Sequence, residues 1–175
     1  MRKVTFGVAN SLDNYIARKD EAVDWLKWSK DVSAIMEEYW KTIDTIVWGR
    51  NSYEFAMRSG RGSGSYPGIT NYVVSRSLKP RSDKTVTIVR DDAAKFIRKL
   101  KRKKGKGICL MCGGVLAKSL FEAKVIDEIG FNIHPVLLGS GIPLYYEMKR
   151  QVNLELLDCR VLKGGCVYVR YRVNK

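Results

Sequence analysis

The stretch from Gly107 to Glu122 constrains the chain most. A short apolar run, Ile108 to Met111, follows a basic, glycine-broken segment, and Gly113-Gly114 then opens a stretch of helical composition. An apolar run of that length bounded by glycine reads as a buried strand, and the glycine pair as a strand-to-helix turn. Glycines at such a junction let backbone N–H groups come close to a bound group, and the unpaired amides and dipole of a helix start favour an anion. A nucleotide diphosphate suits the turn. A tight turn without a ligand has the same local sequence, so other stretches must decide.

No Pro/Gly/Ser-rich linker divides the 175 residues, and the expectation is one domain over 1–175. No apolar run reaches the roughly 18 to 20 residues of a membrane span. Met1-Arg2-Lys3-Val4-Thr5-Phe6 passes straight into a strand-like pattern without the apolar core of a secretory signal, which points to the cytoplasm. Cys109 and Cys112 have Cys-x-x-Cys spacing, yet they lie in or at the end of an apolar strand. With no second such pair and one histidine, His134, the expectation is structural thiols and no metal. The net charge of +14 is concentrated in Lys95, Arg98, Lys99, Lys101, Arg102, Lys103, Lys104 and Lys106. These fall around one predicted helix, whose Phe96, Ile97 and Leu100 keep the spacing of a core-facing stripe. A solvated outer face is the ordinary reading of that helix, and a polyanion partner is the other.

Along the chain, Lys3 to Ala9 reads as a first strand and Asn10 to Asp20 as a polar loop. A helical pattern begins at Glu21, with Val23 and Leu26 inward, a break near Ser29, and Ile35, Met36, Tyr39, Trp40 and Ile43 continuing the face. Thr45 to Trp48 is a central strand, after which Asn51 or Ser52 can cap a helix through Met57. A glycine- and serine-rich loop over 59–68 leads to a strand at Thr70 to Val74. Thr85 to Val89 is a fourth strand, Asp91 caps the basic helix to about Lys104, and Ile126 to Ile133 is a strand after the glycine pair. His134 to Leu144 is a loop, and Asn153 to Leu162 with Cys166 to Val173 form a hairpin around Lys163-Gly164-Gly165. This order predicts an α/β fold: a mixed, mostly parallel sheet flanked by helices, with a C-terminal antiparallel hairpin.

Three strand ends offer anion-binding chemistry: Gly49-Arg50-Asn51-Ser52, Ser75-Arg76-Ser77 and Gly113-Gly114. In an open parallel sheet such ends meet along one edge, where ligands bind. With Val8-Ala9-Asn10-Ser11-Leu12-Asp13, Ile16-Ala17, Gly49 to Glu54, Val74 to Ser77, Gly113 to Leu116 and Leu138 to Leu144, the sequence resembles the dihydrofolate reductase superfamily over nearly its whole length. It is most similar to the branch of the C-terminal reductase domain of riboflavin biosynthesis deaminase-reductases. The resemblance implies an NADPH-dependent reductase acting on a small heterocyclic, carbonyl or imine compound, such as a pterin, dihydrofolate or a pyrimidine-like ring. Asn14 departs from it, standing where that branch usually has glycine.

Carried over residue by residue, the resemblance places Ala9 and Ile16 beside the nicotinamide and Gly49, Arg50, Asn51 and Ser52 at the phosphates. It gives Ser75, Arg76 and Ser77 to the 2′-phosphate, and Gly113, Gly114, Val115 and Leu116 to the diphosphate. Asp13, in the loop, and Asp24, at the start of the first predicted helix, are the candidate catalytic acids; an Asx turn and a helix-start acid are their plain structural readings. Tyr15 and Trp25 are candidates for stacking on substrate. A homodimer is expected, because related domains pair and the terminal strands supply apolar surface. The +14 charge keeps open a nucleic-acid-binding protein on a reductase-like fold, and a cofactor-binding relative without activity is a further alternative.

Overall fold

The computed structural model describes residues 1–60, 67–79 and 86–174. Its centre is an eight-stranded sheet in the order β5-β4-β3-β6-β1-β7-β10-β9, with β1 Val4–Ser11, β3 Ile43–Gly49, β4 Thr70–Val74, β5 Thr87–Val89, β6 Gly107–Met111, β7 Glu128–His134, β9 Leu154–Val161 and β10 Val167–Val173. All neighbours pair in parallel as far as β7; β10 and β9 are antiparallel and close one edge. The mixed sheet with its C-terminal hairpin is the architecture that the sequence predicts.

Central strands covered on both faces must be apolar on both, and Ile43, Ile46, Val47 and Trp48 of β3 are all at most 5% exposed. One face packs Val4 and Phe6 with Ile108, Leu110 and Ile129 under α3 (Ala93–Arg102) and α4 (Gly114–Glu122). The other packs Ile46, Trp48, Val73 and Cys109 against α1 (Lys30–Lys41) and α2 (Arg50–Arg58). Cys109 and Cys112 are buried, and burial pushes each thiol up to about 12, so neither is a thiolate near neutral pH.

Several local expectations are corrected. The first helix starts at Lys30, not Glu21: Ser29 caps it by accepting the Val32 N–H. Residues before it spend their backbone groups elsewhere, since Glu21 sits at φ 68°, Arg18 and Ala22 are joined through their backbones, and Lys27 gives its N–H to His134. Helix α2 is capped by Gly49 with no side-chain bond, so neither Asn51 nor Ser52 serves. Asp92, not Asp91, caps α3, which ends at Arg102. The fourth strand is described only from Thr87, and Thr85 and 61–66 lie outside the described residues. β7 begins at Glu128.

Asn10 to Asp20 is not all loop. β2 (Tyr15–Ala17) pairs with β8 (Ile142–Pro143), a two-stranded ribbon at the end of β1. Asn14 adopts φ 63°, the left-handed conformation that glycine favours and asparagine tolerates, so the turn survives the departure from glycine. The cations of α3 are solvated except Lys101, which is 7% exposed and donates to both carboxylate oxygens of Asp127 at 2.7 and 2.5 Å. No helix among the described residues is long and apolar enough to cross a membrane.

Candidate active site

Because β3 lies beside β6, the helices that follow them start side by side; Trp48 and Met111 are in register, and a Cβ on Gly49 would meet Cys112 Cβ at 3.1 Å. Helices α1 and α3 carry side-chain caps from Ser29 and Asp92, whereas α2 and α4 begin at Gly49 and Gly113 without any. The first-turn N–H groups of these two helices are therefore left for a group in the cleft. Gly113 has room for a Cβ, whose nearest neighbour would be Ile16 Cδ1 at 3.8 Å. Gly114 has none: a Cβ there would stand 2.4 Å from the Leu144 carbonyl oxygen, so this glycine serves the packing of the chain at 144–146.

A cleft of about 1630 Å³ runs from these helix starts across the α1 face of the sheet. Ala9, Ile16, Gly49, Arg50, Asn51, Ser52, Arg76, Gly113, Gly114, Val115 and Leu116 all line it, so the fold brings together the nicotinamide and phosphate residues expected from sequence. Arg50 Nη1 donates to Ser77 Oγ at 3.0 Å, joining the start of α2 to the loop after β4. Arg90 braces that loop by donating to the carbonyl oxygens of Arg76 and Leu78. Ser75 differs from expectation: it is buried, and its Oγ accepts the N–H groups of Ser77 (3.3 Å) and Leu78 (2.9 Å), shaping the loop.

The four residues expected at the reacting end fall outside the cleft wall. Asp13 accepts from Ser11 Oγ at 2.6 Å and from the amides of Leu138 and Gly139 at 3.1 and 2.8 Å. Slight burial opposes ionisation, but the bonds from Ser11, Gly139 and Leu138 hold its pKa below the ordinary value, and it ties two loops together. Asp24 stands on an exposed turn, not at a helix start, paired with Arg18 at 2.7 Å; the bond from Arg18 is the main cause of its lowered pKa. Tyr15 lies in β2 against the Gly141 backbone, and Trp25 packs edge-on to His134 with ring centroids 5.3 Å apart. None of the four is among the cleft-lining residues.

The floor of the cleft is made instead by residues that the sequence reading passed over. Gly7 and Gly130 are in register on β1 and β7 and raise no side chain from the sheet; the Tyr168 hydroxyl stands 3.5 Å from where a Cβ of Gly130 would be, and Glu128, Asn132 and Arg170 continue the floor. Val32, Met36, Tyr39 and the exposed Trp28 face it. Glu128, 5% exposed, is held by Lys3 and Arg170, and the other cleft carboxylate, Glu21, by Arg58. Single glycines at alternate strand positions were the available signal, but their pairing exists only once the strand order is known.

An open, mostly parallel sheet with antiparallel C-terminal strands, and with its cleft at a strand-order reversal reached by two helix starts without side-chain caps, has the architecture of a dihydrofolate reductase-like domain. The chain belongs to the RibD C-terminal domain family, whose profile matches residues 2–168. It is 33% identical over 171 residues, 97% of each chain, to YwjB, an uncharacterised protein of Bacillus subtilis. Among solved structures, one described as a riboflavin biosynthesis protein from Shewanella sp. PV-4 matches the whole of both chains with a TM-score of 0.85 at 24% identity. Dihydrofolate reductase of Enterococcus faecalis, complexed with NADP(H), matches over 99% of this chain and 97% of that one, with a TM-score of 0.68 at 18% identity. At these identities the two structures speak for the fold.

Proposed function

We propose that this protein is an NADPH-dependent reductase that transfers a hydride to a small heterocyclic, carbonyl or imine acceptor of the pterin, dihydrofolate or pyrimidine-like class. The observation that carries the reading is the pair of uncapped helix starts at Gly49 and Gly113, side by side at the strand ends and open to one cleft. The amides of Asn51 and Ser52 on α2 and of Val115 and Leu116 on α4 hold the diphosphate, with Gly113 allowing its approach. Arg76 and Arg50, the latter tied to Ser77, hold the 2′-phosphate, while Ser75 shapes their loop. Ala9 and Ile16 flank the nicotinamide, which supplies the hydride when bound. The acceptor lies over Gly7 and Gly130 beneath α1. Both carboxylates of the cleft among the described residues have cation partners, so the proton that completes the reduction is assigned to water.

The active form is a homodimer in this reading, supported by Leu156 and Val161, 55% and 85% exposed on the edge strand β9; light scattering at high micromolar concentration tests it, a monomer being the contrary result. Titration of NADPH and NADH into the wild type and Arg76→Ala tests the cofactor. NADPH should bind about tenfold or more tightly than NADH, with most of that preference lost in the variant. Equal affinities, unchanged by the substitution, contradict the reading.

A further inference from the structure

Val169 and Val173 of β10 belong to the core on the α3 and α4 side of the sheet, so strand alternation turns Tyr168 and Arg170 to the α1 face. There the half-buried ring of Tyr168 joins the apolar cluster of Val32, Leu162 and Cys166 and leans across to β7. Its hydroxyl oxygen and Cε2 come within 3.5 and 3.9 Å of the place that a Cβ would take on Gly130. A methyl at 130 would already touch the hydroxyl, so the paired glycines 7 and 130 keep the floor beside it open.

The hydroxyls of Tyr39 and Tyr53 are enclosed; that of Tyr168 is not, and it opens on the cleft with no hydrogen-bond partner among the described residues. Burial raises its pKa, Asp158 and Glu128 adding to the shift while Arg170 and Arg160 oppose it, so the group is a phenol and not a phenolate near neutral pH. A phenol has one hydrogen to donate, and a donor in a partly dry cleft gains from a ligand that supplies an acceptor. The carboxylate beside it is committed, since Glu128 is held by Lys3 and Arg170. Tyr168 shares one rung of the sheet with Asn132 and Ala9, so its hydroxyl and the position assigned to nicotinamide belong to one stretch of the cleft.

We propose that Tyr168 is an acceptor-binding residue of the cleft: its hydroxyl donates to a carbonyl oxygen or ring nitrogen of a flat heterocycle that lies on the glycine floor, and so fixes which edge of that ring enters. This rests on the reading of the cleft as a reductase site for a heterocycle. The hydroxyl keeps its own proton and acts as a donor only, and the proton that completes the reduction still comes from water. The apolar packing of the ring holds the phenol in place before any ligand arrives, so little of the bond is spent on ordering it.

The chain has nine tyrosines, and in protein labelled with ¹³C at tyrosine Cζ the signal missing from Tyr168→Phe is that of Tyr168. Pterin, a flat ring with a carbonyl oxygen and ring nitrogens, is the probe, added in the presence of NADP⁺. It should move the Tyr168 signal saturably and bind Tyr168→Phe about three- to tenfold more weakly than the wild type. NADPH affinity and the urea midpoint should be the same in both proteins, because the hydroxyl that is lost holds nothing in the fold. Gly130→Ala, whose methyl would stand 3.5 Å from the hydroxyl, should likewise weaken pterin and spare NADPH. A Tyr168 signal that stays still at saturating pterin, or a pterin affinity unchanged in Tyr168→Phe, overturns the proposal, and a lowered urea midpoint in that variant gives the hydroxyl a structural duty instead. Titration of NADPH alone separates the failures: if it binds while pterin does not, the role of Tyr168 is overturned and the cofactor site stands, whereas no binding of NADPH removes the reductase reading itself.

Discussion

Adjacent glycines at the start of α4 have different duties, and one methyl group at each position separates them. In Gly114→Ala the new Cβ would stand 2.4 Å from the Leu144 carbonyl oxygen and 2.8 Å from Tyr146 Cδ2. A carbon and a carbonyl oxygen come no closer than about 3.3 Å even in favourable contacts, so the helix start or the 144–146 chain must move by roughly 0.9 Å. The obstacle is backbone, which yields less readily than a side-chain tip, and overpacking of this kind costs about 1–3 kcal/mol. For a domain of this size that lowers the Tm by about 2–12 °C. In Gly113→Ala the Cβ would meet Ile16 Cδ1 at an ordinary 3.8 Å, and φ of −79° suits any residue. The poorer N-cap costs about 0.5 kcal/mol, or about 1–2 °C. The methyl nevertheless intrudes where the diphosphate approaches, and NADPH affinity should fall about tenfold, or about 1.4 kcal/mol. Thermal unfolding and a fluorescence titration of each variant give the two readouts. A wild-type Tm for Gly114→Ala refutes the packing argument, and wild-type NADPH affinity for Gly113→Ala refutes the placement of the diphosphate.

Three further outcomes follow from the structure. Asp24→Asn should leave NADPH affinity and turnover unchanged, because its carboxylate is exposed and paired with Arg18; a large loss of turnover with cofactor affinity intact would restore it as a catalytic acid. Lys101→Met removes the buried ammonium that donates to Asp127 and should cost about 3 kcal/mol by urea unfolding, against under about 0.5 kcal/mol for the exposed Lys99→Met; equal effects would contradict the burial of Lys101. His134 has a lowered pKa in the fold, so as pH falls through its ordinary value of 6.5 the unfolded chain takes up the proton first and stability is lost, while above that value its contribution is complete. Urea midpoints should therefore rise with pH below 6.5 and level off above it, and a slope that persists in His134→Gln would assign the effect elsewhere.

The sheet was legible because its inner strands are continuous β-branched and aromatic runs, such as Thr45 to Trp48, and burial on both faces requires just that composition. The helix-start end of the cleft was legible for a related reason: Gly49 and Gly113 follow such runs directly, so strand, turn and helix start are fixed within a few residues of one another. The segment 18–29 was not, because its backbone bonds go to His134 and to its own turn, partners that helical spacing cannot reveal. Asp24 was misplaced with it. The cleft floor was hidden because Gly7 and Gly130 meet only across two strands far apart in sequence, and Lys101 looked like its basic neighbours until Asp127, 26 residues on, came beside it.

The central claim, that the cleft at the ends of β1, β3 and β6 holds NADPH, is tested most directly by following the backbone amide signals of ¹⁵N-labelled protein as NADPH is added. The account predicts saturable shifts concentrated at Ala9, Ile16, Gly49 to Ser52, Arg76, Ser77 and Gly113 to Leu116, with the exposed cations of α3 from Lys95 to Arg102 unaffected. Shifts confined to that basic helix, or none at all at saturating cofactor, would contradict it.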